Sequence, residues 1–280
     1  MDETGEIIRE LRHKAGFSQK TLANALHITD KAVSKWERGI CLPDVSLLPK
    51  LALLLDTDVD VLICNSISQD HWVGVIDICD CDFSQKVYDK PLVYYLLSHY
   101  LLLNITHIYV LTTARNREYL EAEQFRLLGF DFTFEEPSGK HMMIINHPWF
   151  VFGSDLTQQF QGAMLSRRNV KLIPQNQMPI VYFACDDAYF KDKNKLIAYS
   201  SARTLGRGMI CFDMSNADQI LEVASFVSTY QKNTGLLIGS LEEIAYNKGI
   251  ISDTQLIRSA DQVSYGALLK KMLRNPLNKR

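Results

Sequence analysis

No apolar run in this chain of 280 residues is long enough to cross a bilayer. The longest, Leu92 to Leu103, is broken by Ser98, His99 and several tyrosines. It falls short of the roughly 20 residues that a spanning helix needs. The first residues are acidic and polar, which argues against a secretory signal. An excess of charge of one sign is also lacking. The net charge is -2, so any contact with nucleic acid must come from a local face and not from bulk charge. Cysteines are few and scattered, at Cys41, Cys64, Cys79, Cys81, Cys185 and Cys211. Cys79 and Cys81 stand closer than structural zinc ligands do, with no Cys/His pair near them. The expectation is a cytosolic protein with reduced, mostly buried thiols, no membrane segment, no metal and no cofactor.

What the chain does have is an ordinary globular composition, 47% hydrophobic and 22% charged, and enough length for two domains. Near the N-terminus Ile7, Ile8 and Leu11 recur at helical spacing up to Gly16, a C-cap residue. Ser18 stands where an N-cap belongs, opening a helix through Leu22, Ala23 and Leu26. His27-Ile28 makes a turn in which His27 must take the left-handed conformation, uncommon but allowed. Thr29 caps a third helix predicted over Asp30 to Arg38, with Ala32, Val33 and Trp36 inward and Gly39 as its stop. Pro43-Asp44-Val45-Ser46 starts a fourth helix through Leu47, Leu48, Leu51 and Leu55, in which Pro49 falls in the first turn. Val59, Val61 and Leu62 close the bundle.

This pattern resembles the Cro-repressor-type helix-turn-helix domain, the XRE family, over residues 6–63. The resemblance implies that Gln19 and Lys20 reach DNA phosphates. It also implies that Thr29, Asp30, Lys31, Ser34 and Lys35 face the groove and that Arg12 pairs with Glu37 inside the bundle. Spacing supports it independently: Lys31, Ser34, Lys35 and Arg38 stand at i, i+3, i+4 and i+7 and share one face. That face reads either as a DNA contact, to base edges or phosphates, or as solvated lysines on a small bundle.

A short polar linker follows Ile63. Beyond it, Val73 to Cys79 reads as a buried strand, Lys90 to Leu103 as an amphipathic helix beginning at Pro91, His107 to Leu111 as a strand and Glu118 to Leu128 as a helix. The alternation predicts an α/β layered domain with a mainly parallel sheet. Met142–Ile145, Phe150–Phe152 and Ile180–Ala184 add strand candidates. Helices are predicted over 217–233, 240–247, 253–259 and 265–274.

Two stretches of this region resemble sugar-phosphate nucleotidyltransferases of the glucose-1-phosphate thymidylyltransferase kind. One is Tyr88-Asp89-Lys90-Pro91-Leu92-Val93-Tyr94-Tyr95. The other runs from Leu205-Gly206-Arg207-Gly208 through Asp213 and Ser240-Leu241-Glu242-Glu243 to Tyr265-Gly266. Phe152-Gly153-Ser154-Asp155-Leu156 is a weaker match between them. Nucleotidyl transfer needs a glycine-rich loop after the first strand and a metal held by carboxylates. Here that strand is followed by Asp77-Ile-Cys-Asp-Cys-Asp82, without glycine or arginine. Pro148 stands where the resemblance puts one metal-binding Asp, leaving Asp213 alone, and a single carboxylate is a poor magnesium site.

Fold and function expectations follow. The fold class is α/β: an all-α helix-turn-helix bundle at 1–66, then a Rossmann-like nucleotidyltransferase-type domain at 72–280 with a helical C-terminal end. The function is a sequence-specific DNA-binding transcription regulator whose degenerate second domain dimerises it and senses a nucleotide or nucleotide sugar. The partners are double-stranded DNA, a second copy and that ligand. Candidate DNA-binding residues are Gln19, Lys20, Thr29, Asp30, Lys31, Ser34, Lys35 and Arg38. Gly206, Arg207, Gly208 and Asp213 are ligand-binding candidates, and no catalytic residue is assigned. The alternatives are a working nucleotidyltransferase with an appended DNA-binding domain, and a purely structural oligomerisation body. His141, His147, Cys185, Asp186 and Asp187 lack ligand spacing and read as loop residues. Lys191 to Lys195 reads as a solvated loop. The basic tail Lys270, Lys271, Arg274, Lys279 and Arg280 reads as a helix end or a weak DNA contact.

Overall fold

A computed structural model describes residues 3–55, 57, 59, 62, 72–137, 141–166, 168–174, 178–185, 196 and 200–274. The chain divides into two compact units, Met1–His71 and Trp72–Arg280. In the first, helices α1 (Glu3–Lys14), α2 (Gln19–Leu26), α3 (Asp30–Glu37) and α4 (Leu48–Leu54) surround one small core. Ile8, Leu22, Val33 and Leu51 are fully buried there, with Trp36 at the α3 end and Leu62 and Val59 packed alongside. Val61 and the expected linker at 63–71 lie outside the described residues. The third helix stops at Glu37, with Arg38 as its C-cap. The fourth opens with a tight 3-10 turn, Val45–Leu47, because the Asp44 carboxylate caps Ser46. Pro49 follows in the first turn of α4, where its missing N–H costs no bond.

The second unit is built on a seven-stranded mixed sheet in the order β10-β8-β9-β6-β1-β4-β5. Its strands are β1 (Trp72–Asp77), β4 (His107–Leu111), β5 (Asp131–Thr133), β6 (His141–Ile145), β8 (Val170–Ile173), β9 (Val181–Ala184) and β10 (Ser201–Thr204). β1 is parallel to both β4 and β6. β9 runs antiparallel to β6 and β8. Two ribbons stand apart from this sheet: β2 (Lys86–Val87) with β3 (Lys90–Pro91), and β7 (Trp149–Phe152) with β11 (Ile210–Asp213). The helices among the described residues are α5 (Leu92–Leu102), α6 (Ala114–Leu120), α7 (Glu123–Leu127), α8 (Leu156–Leu165), α9 (Ala217–Thr234), α10 (Leu241–Asn247), α11 (Asp253–Ala260) and α12 (Gly266–Arg274). Among the described residues no helix is long and apolar enough to cross a membrane.

Three expectations are corrected. α5 is not amphipathic, because every residue from Leu92 to Leu101 is buried. Its hydroxyls bond inside: that of Tyr100 donates to the Val75 carbonyl at 2.7 Å, and that of Ser98 to the Tyr95 carbonyl at 2.8 Å. The sheet reaches α5 closely at Gly74, where an added Cβ would sit 2.9 Å from the Tyr100 ring. The single helix expected over 118–128 is two, α6 and α7, broken at Glu121-Ala122. Among the described residues the thiols are not mostly buried: Cys41 and Cys79 are exposed and Cys81, Cys185 and Cys211 half-buried, while Cys64 lies outside the described residues. Cys41 falls in the loop after α3 and Cys79 beyond the end of β1.

His99 sits deep on α5, edge-on to Phe160 at 5.5 Å. Its Nε2 has no hydrogen-bond partner. Burial pushes its pKa down to about 4. The unfolded chain therefore takes up this proton first as pH falls. The stability that neutral His99 permits is complete above about pH 6.5, the unperturbed value, and is lost on the way down to about 4. Urea unfolding at pH 7 and pH 4.5 should show His99→Leu losing less stability than wild type, by on the order of 2–3 kcal/mol. Equal losses would show that His99 is solvated.

Candidate functional site

The first unit presents α3 through two local devices. At the start of α2 the Ser18 hydroxyl accepts from the Thr21 N–H at 3.0 Å, and the Thr21 hydroxyl accepts from the Ser18 N–H at 2.7 Å. This reciprocal box satisfies two helix-end donors at once. At its end His27 adopts φ 58, ψ 41, and the Ile28 N–H closes onto the Ala23 carbonyl at 3.0 Å. Thr29 then caps α3 by accepting from the Ala32 N–H. With Val33 and Trp36 fixed in the core, helical geometry turns the opposite face outward: Lys31, Lys35 and Arg38 are exposed and Ser34 is half-buried. No ion pair among the described residues engages Lys31 or Lys35. Arg38 Nε donates to the Ser34 carbonyl at 3.2 Å.

Glu37 ties this face to the start of α2. It accepts from Arg12 Nε at 2.6 Å, Arg12 Nη2 at 3.1 Å and Gln19 Nε2 at 2.7 Å. Burial would raise its pKa, but the bonds from Arg12 and Gln19 and the Arg12 charge outweigh it and hold the carboxyl below its usual value. Gln19 is thus held in place by Glu37, a contact that sequence spacing did not reveal. Lys20 is exposed beside it. Arg12, His13, Lys20 and Asp30 line an open recess of about 600 Å³ at the start of α2. Asp30 Oδ1 accepts from the Lys31 N–H at 2.8 Å.

In the second unit the loop after β1 is wired inward. The Phe83 N–H donates to Asn116 Oδ1 at 3.0 Å, and Asn116 Nδ2 returns a bond to the Cys81 carbonyl at 2.9 Å. The Ser84 N–H donates to Asp82 Oδ1 and the Gln85 N–H to the Asp82 carbonyl. These donors therefore do not point toward a bound phosphate. Desolvation, then Asp82, Asp80 and Cys79, pushes the Cys81 thiol up to about 12. Asn116, the organiser of this loop, carries no sequence signal beyond its place in the first turn of α6.

Asp213 ends β11 opposite Trp149, and the Met214 N–H donates to the Pro148 carbonyl at 2.9 Å. Pro148 and Asp213 are therefore neighbours in space. Asp213 Oδ1 accepts from the Ser215 N–H and hydroxyl at 2.9 and 2.6 Å, and lies 2.8 Å from His147 Nε2. Burial raises the Asp213 pKa, but the Ser215 bonds and His147 prevail and lower it. This donor set does not fit a divalent cation, since one oxygen is already engaged and the neighbouring position is a proline. Among the described residues no group of three or more His, Cys, Asp or Glu is placed to hold a metal. His141 lies in β6 with its ring 5.3 Å from that of Trp72. Asp186, Asp187, 191–195, Lys279 and Arg280 lie outside the described residues. Gly206, Arg207 and Gly208 line a recess of about 380 Å³ with Pro174 and Met209, and Asp213 is not part of it. The ligand candidates are thus split between two places.

A helix-turn-helix family model matches residues 8–62. The N-terminal unit is a helix-turn-helix domain of the XRE type. This domain is similar to the HTH-type transcriptional regulator ImmR of Bacillus subtilis, 37% identical over 59 residues, 21% of this chain and 46% of that protein. The C-terminal region resembles glucose-1-phosphate thymidylyltransferases. The enzyme of that name from Neisseria meningitidis is 26% identical over 265 residues, 67% of this chain and 90% of its own length. The one from Mycolicibacterium smegmatis is 36% identical over 76 residues, 26% of each chain. The molecule therefore joins a helix-turn-helix domain to a nucleotidyltransferase-like domain.

Proposed function

We propose that this protein is a sequence-specific DNA-binding transcription regulator whose α/β domain no longer transfers nucleotides. That domain dimerises the protein and binds a nucleotide or nucleotide sugar as a signal. The observation that carries the DNA-binding reading is the face of exposed Lys31 and Lys35 with half-buried Ser34 between them, on a helix fixed by its Thr29 cap and its buried Val33 and Trp36. Gln19, Lys20, Thr29 and Arg38 flank it as phosphate and groove contacts. Loss of transfer is supported by the loop after β1, where the Phe83, Ser84 and Gln85 N–H groups bind internal acceptors, and by the engagement of Asp213 with His147 and Ser215. If the protein dimerises, its half-sites should lie about 34 Å apart.

The test has two arms on the full-length protein. Capture of sheared chromosomal DNA should enrich discrete fragments, and random recovery would remove the regulator reading. Incubation with glucose 1-phosphate, nucleoside triphosphates and magnesium should release no pyrophosphate. The match over 90% of a thymidylyltransferase's length favours the rival, a working enzyme with an appended DNA-binding domain. Steady pyrophosphate release would establish it. A nucleotide sugar at about a hundred times its Kd should stabilise the α/β domain by roughly 2.7 kcal/mol. No shift with any nucleotide would leave that domain a scaffold.

A further inference from the structure

We infer that Lys31 and Lys35 read two guanines in each half-site, which places this protein on operators with a G-bearing core. The inference rests on the DNA-binding reading above. On α3 the outward stripe offers two ammonium groups and one hydroxyl, with no carboxamide. Both lysines are exposed and free of ion pairs among the described residues. The neighbouring carboxamide, that of Gln19, is bonded to Glu37 at 2.7 Å. Asp30 lies roughly 100° round the helix from Lys31, on the side lining the recess with Lys20.

This inventory discriminates between bases. In the major groove guanine shows two adjacent acceptors, N7 and O6, which suit an ammonium donor. Adenine replaces one of them by the N6 donor, which an ammonium repels and which a carboxamide would match. Lys31 and Lys35 are four residues apart, about 6 Å along the helix axis, close to two base-pair steps of roughly 3.4 Å. The two guanines should therefore sit about two positions apart.

Selection from a randomised duplex pool, run with the full chain, tests this. Wild type should return half-sites with two fixed guanines at that spacing. Lys35→Gln should convert one of them to adenine and leave the other. Lys31→Gln should do the converse. Each swap should move the G-to-A preference by about tenfold to a hundredfold. The assignment falls if enriched sites lack the guanines. It also falls if Lys35→Gln weakens all duplexes equally and lowers the salt dependence by about one phosphate, the signature of a backbone contact. Failure to enrich any duplex over the starting pool would overturn the DNA-binding reading itself and this inference with it.

Discussion

Glu37→Ala should destabilise the helix-turn-helix domain by about 3–5 kcal/mol, the cost of stranding a buried charge. The stranded group is the Arg12 guanidinium, whose side chain is 6% exposed against 4% for Glu37. Without the carboxylate, Arg12 keeps only the Phe17 carbonyl, 2.8 Å from Nη1, and the His13 ring nitrogen, 3.2 Å from Nη2. A loss of this size is severe for so small a unit, since even whole domains have only about 5–15 kcal/mol to lose. Hydrogen exchange over residues 19–37 reads it directly, as amide protection in α2 and α3 should collapse. DNA affinity should fall with the folded fraction. Replacing both partners, Arg12→Met with Glu37→Leu, should restore most of the stability, because no charge is then left unpaired. Gln19 would stay unanchored in that double variant, so DNA affinity should recover less than stability does. Full protection in Glu37→Ala would mean that the pair is solvated.

Lys90→Ala should cost the α/β domain a similar amount, about 3–5 kcal/mol. Lys90 is fully buried. Its ammonium donates to Asp89 Oδ1 at 2.9 Å and Gln231 Oε1 at 3.0 Å, and lies 4.1 Å from the centre of the Tyr265 ring. Gln231 Nε2 in turn donates to Asp89 Oδ2 at 2.8 Å, and the Tyr265 hydroxyl donates to Glu242 Oε2 at 2.8 Å. One cation thereby ties the β2–β3 ribbon to α9 and to the segment leading into α12. Desolvation lowers the Lys90 pKa, and the nearby Asp89, Glu242 and Glu243 charges offset part of that. Removal of the ammonium leaves the Asp89 carboxylate, 11% exposed, without its counter-ion and with only the Gln231 amide as a partner. Urea unfolding should show the loss, and exchange should localise it to 86–91, 231–242 and 265. Lys90→Met, which keeps the volume but not the charge, should remain close to Lys90→Ala if the charge matters. Recovery to near wild type in Lys90→Met would show instead that packing dominates.

The first domain could be read residue by residue because its signals are local. Ser18, His27 and Thr29 each act within four positions of themselves, and the core pattern of Leu22, Leu26, Val33 and Trp36 needs only helical periodicity. One feature of its site escaped for the opposite reason. Gln19 meets Glu37 eighteen positions away, and no spacing rule links them. In the α/β domain, β1, β4 and β6 showed as apolar runs, whereas β10 is exposed at all four positions and β5 is three residues long. Neither gives an alternating pattern. The tyrosines, Ser98 and His99 of α5 looked like a polar face. Tyr95, Ser98 and Tyr100 can be buried because their hydroxyls reach carbonyls inside the domain, whereas His99 is buried with its Nε2 unpartnered. The engagement of Asp213 by His147, 66 positions away, likewise needed the pairing of β7 with β11.

Every role proposed for the protein depends on sequence-specific DNA binding by the exposed face of α3. The most direct measurement is a competition titration of the full-length protein at one fixed salt concentration, comparing a selected duplex with a scrambled duplex of the same composition. The protein should prefer the selected duplex by about a thousandfold or more, and Lys35→Ala should reduce that preference without unfolding the domain. Equal affinity for the two duplexes, or a preference unchanged by Lys35→Ala, would contradict it.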